Sequence, residues 1–234
     1  MLRCPSCQFE NDAYALICTN CRGYLQNRVP NLDLFDTVWG VVESPVKTFR
    51  RIALAEHKNY ALALFWGVGT GAAFALMWYH RLGRVFDTIP ALLGVGVAAG
   101  LVLGPILAVL MPGAAQLVLR MMGVKARFRN SLAALAYSSS PVILSVVLIL
   151  PVELAVFGMY MFTWNPSPYA LKPVAYVTLV ALDSLLSLWA VALGAVGLKV
   201  VHQVGWGKAI ATTLALLALL AGLAWASGAF LGMV

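Results

Sequence analysis

The chain has 234 residues, of which 62% are hydrophobic and only 11% charged, with a formal net charge of +7. Soluble domains carry about 25% charged residues, so composition excludes a water-solvated globule for most of this chain. The positive charge is read by position rather than as a nucleic-acid footprint, because juxtamembrane Lys and Arg normally face the cytoplasm and its anionic lipids.

Residues 1–30 come first and are too few to hold a hydrophobic core without a staple. All four cysteines lie here, as Cys4-Pro5-Ser6-Cys7 and Cys18-Thr19-Asn20-Cys21, with ten residues between the pairs. A two-residue gap lets both thiolates of a pair reach one metal from a tight turn, and two such turns close a tetrahedral shell of the kind structural zinc requires. Four thiolates also accept iron, the alternative metal; free thiols or disulfides are the non-metal reading. A closed shell leaves no position for a reactive water. Arg3, Arg22 and Arg28 against Glu10 and Asp12 make no basic stripe, which argues against nucleic acid. The stretch 2–26 resembles the short prokaryotic zinc ribbons that precede many membrane spans. It differs at Gln8, where a glycine is usual, and at Arg22-Gly23, where the glycine comes one place late.

Residues 31–58 read as an amphipathic interfacial segment. Leu32, Phe35, Trp39 and Val42 recur at helical spacing, with Asp33 and Asp36 near the helix start. Ser44-Pro45 then suits an N-cap and first helical position. The next helix sets Val46, Phe49 and Ala53 against Lys47, Arg50 and Arg51. A basic amphipathic helix before a span belongs in the membrane interface, with Trp39, Phe49, Arg50 and Arg51 as its lipid contacts; a solvent-facing helix packed on the ribbon is the alternative.

Residues 59–234 contain five apolar runs, at about 59–79, 89–111, within 132–162, 174–198 and 209–231, each near or above the roughly 20 residues a spanning helix needs. The third is too long: 31 residues of helix measure about 46 Å against a core of about 30 Å. Pro141 and Pro151 interrupt it, so a kinked or tilted helix starting in the cytoplasmic interface is expected, with a broken re-entrant pair as the alternative. With the N-terminus inside, thirteen Lys and Arg fall on inside segments and three outside. The positive-inside rule therefore predicts N-in, C-out, and a thiolate site also belongs in a reducing compartment. No secretory signal pattern precedes the first run.

Within the runs, Gly67 and Gly71 form G-x-x-x-G, and Gly96, Gly100 and Gly104 a longer stripe. Small residues let helix backbones approach closely; packing of this bundle is expected, with homo-oligomerisation the alternative. Asp183 falls near the middle of the fourth run, and Glu153 in the outer half of the third, where it reaches towards the outer interface. Intramembrane acids are costly and need partners. Asp183 is either functional, in proton coupling or headgroup contact, or a protonated acid bonded to Ser or Thr. His57, His80 and His202 lie near span ends, and no H-E-x-x-H, G-x-S-x-G or paired protease-type acids occur.

Three stretches are similar to the YIP family of membrane proteins, named for interaction with Ypt/Rab GTPases in eukaryotes. They are Glu43-Ser-Pro-Val-Lys-Thr-Phe-Arg-Arg51, Phe128-Arg-Asn-Ser-Leu-Ala-Ala-Leu-Ala-Tyr137 leading to Pro141, and Leu188-Trp189 through Gly197-Leu-Lys-Val-Val-His202 with Trp206 and Lys208-Ala209. The resemblance runs from Asp33 onward and implies five helices and a cytoplasmic N-terminus. Rab binding is not carried over, because a ribbon replaces the eukaryotic N-terminal region. The expected protein is all-α, with five transmembrane helices behind a small cytoplasmic zinc ribbon and an amphipathic interfacial helix, in a prokaryotic cytoplasmic membrane. Its expected role is non-enzymatic, binding or organising a protein partner at the cytoplasmic face. The alternative is a transporter or lipid-handling protein using a polar site around Asp183.

Overall fold

A computed structural model describes residues 2–230 apart from 13, 26–28 and 30; Arg28 and Val234 fall outside the described residues. Strands β1 (Leu2–Arg3) and β2 (Glu10–Asn11) pair antiparallel, with Leu2 opposite Asn11. Helix α1 (Leu34–Glu43) follows, capped by Asp33, whose carboxylate accepts the Asp36 N–H at 2.9 Å. Helix α2 (Pro45–Leu54) has Ser44 at its N-cap and Pro45 in its first turn, but the Ser44 hydroxyl makes no cap bond.

Five helical passes make up the rest: α3 (Ala61–Tyr79), α4 (Ile89–Met121), α5 (Phe128–Ser138) continued by α6 (Ser140–Phe157), the short α7 (Pro168–Leu171) leading into α8 (Pro173–His202), and α9 (Trp206–Phe230). All five are long and apolar enough to cross a bilayer, so the chain is a multi-pass membrane protein in contact with lipid. The ribbon, α1 and α2 lie at one end of the bundle, the ribbon end. The 3-10 turns Leu82–Val85 and Gly158–Phe162 meet each other at the far end.

The second pass differs from expectation. It does not stop at residue 111 but runs through Pro112 to Met121, because Ala115 and Leu119 are fully buried. That packing outweighs the backbone bond lost at an internal proline. Arg120 is therefore helical rather than in a loop.

The third pass breaks at Ser139, where Pro141 starts a new helix. It is one traverse and not a re-entrant pair. Arg129 at its start donates to the Glu56 carbonyl at the ribbon end, at 3.0 Å. After its end, the carbonyls of Met159 and Phe162 crowd Gly83 at the far end. Helix α5 is the core of the bundle: Ala133, Ala134, Ala136 and Tyr137 are wholly inaccessible, and the Tyr137 hydroxyl donates to the Asn59 carbonyl at 2.8 Å.

The glycine stripes are consumed inside the bundle. A Cβ on Gly69 would lie 2.4 Å from the Gly104 nitrogen, and one on Gly100 would lie 2.5 Å from Thr70 Cα. Gly67 and Gly71 face Ile143 and Val146 of α6. These faces are covered, so they are not open for the homo-oligomer contact weighed from sequence.

Candidate metal centre and intramembrane polar site

The two knuckles repeat one geometry. The Gln8 N–H donates to the Cys4 carbonyl and the Cys4 N–H to the Phe9 carbonyl; likewise Arg22 donates to Cys18 and Cys18 to Gly23, all at 2.9–3.0 Å. Each turn closes through a left-handed residue, Gln8 at φ 57° and Arg22 at φ 58°. These are the positions where the ribbon pattern departs from glycine, so the departures leave the turn geometry intact and strained. Left-handed backbone costs a non-glycine residue roughly 1–2 kcal/mol, partly offset by glycine's own entropy. Gln8→Gly and Arg22→Gly should each therefore tighten metal binding severalfold in competition with a chromophoric chelator; unchanged or weaker affinity would show that neither turn carries strain.

The four sulfurs lie within 4.8 Å of one another, with Cys4–Cys21 and Cys7–Cys18 each at 3.5 Å. A disulfide needs about 2.0 Å, whereas a tetrahedral site with metal–sulfur bonds of about 2.3 Å has edges of about 3.8 Å. The donor environment also suits thiolates. The Cys21 N–H is the main influence holding the Cys18 thiol down to about 6, and the Cys7 N–H lowers Cys4. Asn11 reaches Cys18 Sγ at 3.5 Å. The Gly23 N–H favours the Cys21 thiolate, yet the sulfurs of Cys4 and Cys7 push that thiol up to about 12. Four such sulfurs are held together as anions only by a shared cation, so the residues fit a metal and could bind one.

The ribbon is seated on the bundle. The Tyr14 hydroxyl donates to the Val200 carbonyl at 2.7 Å, Gln203 donates to Asp12 at 3.2 Å, and Arg127 pairs with Asp12 at 3.6 Å. Between ribbon and helix ends lies a cleft of about 1360 Å³, lined among others by Lys58, Arg120, Lys125, Arg127 and Arg129. Burial, and then the charge of Arg129, bring the Lys58 ammonium down to about 8. Tyr14 was not singled out from sequence, because nothing local marks an aromatic residue for contact with a helix far along the chain.

The expected lipid contacts divide. Trp39 is 69% exposed, and Arg50 and Arg51 are exposed, Arg51 pairing with Asp36. Phe49 is not at the surface. It is wholly buried, with its ring against Gly197 of α8. The faces of α2 are therefore reversed from the interfacial reading at this position: the glycine leaves a notch that the ring fills.

In the membrane, the Ser145 hydroxyl donates to Asp183. Glu153 does not reach the interface. It is only 4% exposed, facing inward with Asp183 onto a cavity of about 530 Å³ between α3, α6 and α8. Ser145 was legible as a polar residue in an apolar run, but its pairing with Asp183 needed the helix packing. Asp183→Asn should keep the fold, because an amide still accepts the Ser145 hydroxyl. Asp183→Leu should lower stability by about 1 kcal/mol, the low end because Ser145 can turn to the carbonyl one helical turn back. Equal detergent melts for Leu and wild type would remove this bond from the folded protein.

The Yip1 domain family model matches residues 39–227, most of the chain. The chain belongs to the Yip1 domain family. The matched region starts within α1 and ends within α9, so it takes in all five passes and leaves the ribbon outside. No curated protein and no solved structure gives a match.

Proposed function

We propose that this Yip1-domain protein is a non-enzymatic organiser at the cytoplasmic face of a prokaryotic cytoplasmic membrane, holding a protein partner through a zinc ribbon. The chain then divides into a ribbon (1–30), an interfacial segment (31–58) and a five-helix membrane domain (59–234). The observation that supports the reading is the gathering of four cysteine sulfurs within 4.8 Å: a thiolate shell that a metal would close supports a surface rather than a reaction. The surface it supports carries apolar side chains, Phe9, Ile17 and Tyr24 between 48% and 69% exposed, among polar ones such as Gln8, Glu10 and Asn20. Beside it, Phe35, Trp39, Val42 and Val46 form an outward apolar row next to Lys47 and Arg50, a composition suited to an anionic lipid interface.

Topology is the first check. The thirteen-to-three distribution of Lys and Arg favours an inside N-terminus, and five passes then put the C-terminus outside. A reporter fused after Val234 should read outside, and one inserted at Gly123–Lys125 should read inside; two termini on one side would refute it.

The function is tested by crosslinking in native membranes. Deleting residues 1–30 should abolish partner capture and the cellular phenotype, while Asp183→Asn should be nearly silent. A second reading, a transporter or lipid-handling protein, is favoured by the acid-lined cavity. It predicts the reverse: solute or lipid flux in proteoliposomes that needs Asp183 and not the ribbon.

A further inference from the structure

The cavity between α3, α6 and α8 carries more than two acids. Glu153 Oε1 and Trp78 Nε1 are both buried and have no hydrogen-bond partner among the described residues, and both line it. Glu153 is 96% buried by its 4% exposure, so its free oxygen is aimed into the cavity rather than at solvent. A buried polar atom left unpaired costs free energy that a ligand recovers.

The lining defines the ligand. Glu153 and Asp183 are its ionisable residues, and no Lys, Arg or His is among them. Arg81 stacks on the Trp78 ring at 4.9 Å but does not line the cavity. The remaining walls are mostly apolar, including Phe74, Val146, Leu150, Phe162 and Val180. An acid-lined, apolar-walled space favours a hydrophobic molecule with a positive charge, because a cation beside them lets the acids ionise away from water. The unpaired Trp78 N–H asks in addition for an acceptor oxygen.

The route is lateral. Ala75, Ser184, Ser187 and Leu188 line the cavity and are exposed. Asp183 lies about 15 Å along α8 from its far-end start, and Trp78 lies in the last turn of α3 at that same end. The opening therefore faces the bilayer from its middle towards the far leaflet, and the volume of about 530 Å³ is that of a small-molecule site.

We infer that this cavity binds a lipophilic amine bearing a hydroxyl or carbonyl oxygen, with the ammonium on Glu153 and the oxygen on Trp78 Nε1. The inference names the ligand class for the lipid-handling reading and rests on that reading only in sharing the cavity.

The test uses full-length protein in phosphatidylcholine nanodiscs, with N-dodecylethanolamine as probe and empty nanodiscs as the partition blank. Tetradecanol and tetradecanoic acid are the comparators. Saturable binding of one amine per chain is expected, with the alcohol and the acid each weaker by at least about tenfold, the scale of a charge-assisted hydrogen bond. Glu153→Gln should weaken the amine by a similar factor, and Trp78→Phe by a few-fold. Equal binding of amine and alcohol, non-saturating partition, or a folded Glu153→Gln variant that binds as wild type would overturn the inference. Should that variant fail to fold, the comparison of amine, alcohol and acid on wild type decides alone. Lipid flux that needs Asp183 but shows no amine preference would overturn the inference and leave the lipid-handling reading standing.

Discussion

Freshly purified, reduced protein is expected to hold one zinc ion per chain and to lose it when any of Cys4, Cys7, Cys18 or Cys21 is changed to serine. The expected effect is large because the ribbon has almost no apolar core of its own. Among the described residues of the first 25, the buried apolar ones are Cys4 and Cys18 themselves, while Phe9, Ile17 and Tyr24 lie at the surface. Its regular structure is a two-residue strand pair and a few turns. Structural zinc binding in small knuckles is worth on the order of 10 kcal/mol, so metal binding and folding of this segment are expected to be one event. A strong chelator should make Arg3 and Arg22 cleavable by trypsin while the membrane passes stay protected. It should also loosen the ribbon from α8, since Asp12 and Tyr14, which bond to Gln203 and Val200, lie on the stretch between the two knuckles. A red, iron-loaded preparation would keep the site and change the metal. Finding neither zinc nor iron in reduced protein would remove the metal centre.

The second large effect is expected at the crossing of α3 and α4, the most extensive helix contact in the bundle. Substitution at Gly100 puts a Cβ 2.4 Å from Thr70 Oγ1 and 2.5 Å from its Cα, and at Gly69 it meets the Gly100 carbonyl at 2.4 Å. Backbone cannot rotate away as a side chain can, so the helices must separate. Gly100→Ala should cost about 1–3 kcal/mol and Gly100→Val more, read as a lowered detergent melt and faster proteolysis. Gly67→Ala should be milder, because its new methyl meets the Ile143 side chain at 2.9 Å rather than backbone. Gly94→Ala, with nothing within 4 Å, is the control and should be neutral or slightly stabilising. A Gly100→Ala variant as stable as the Gly94→Ala control would mean that α3 and α4 do not approach as described.

The expectations that came true from residue order alone share a physical character: each depends on chemistry confined to a short stretch. The five apolar runs needed only their length and composition, because lipid admits little besides closed backbone hydrogen bonding. The gathering of the four cysteine sulfurs needed only two C-x-x-C spacings, because a turn sets the separation of its own thiols. Gly67, Gly71, Gly96, Gly100 and Gly104 advertised close packing, though not their partners.

Tertiary structure decided what depends on distant surfaces meeting. Phe49 reads as one more apolar residue on a basic helix, and it is Gly197 on α8 that turns it inward. Residues 112–121 read as lying beyond the second apolar run, and the burial of Ala115 and Leu119 keeps them helical. Glu153 reads as an acid close enough to the interface to escape. It lies instead beside Asp183 and Trp78, because α6 restarts at Pro141 and presents that face to α3 and α8. Hydropathy registers how much a residue resists water. Which neighbour covers it is set by helix phase and crossing, and those are properties of the assembled bundle.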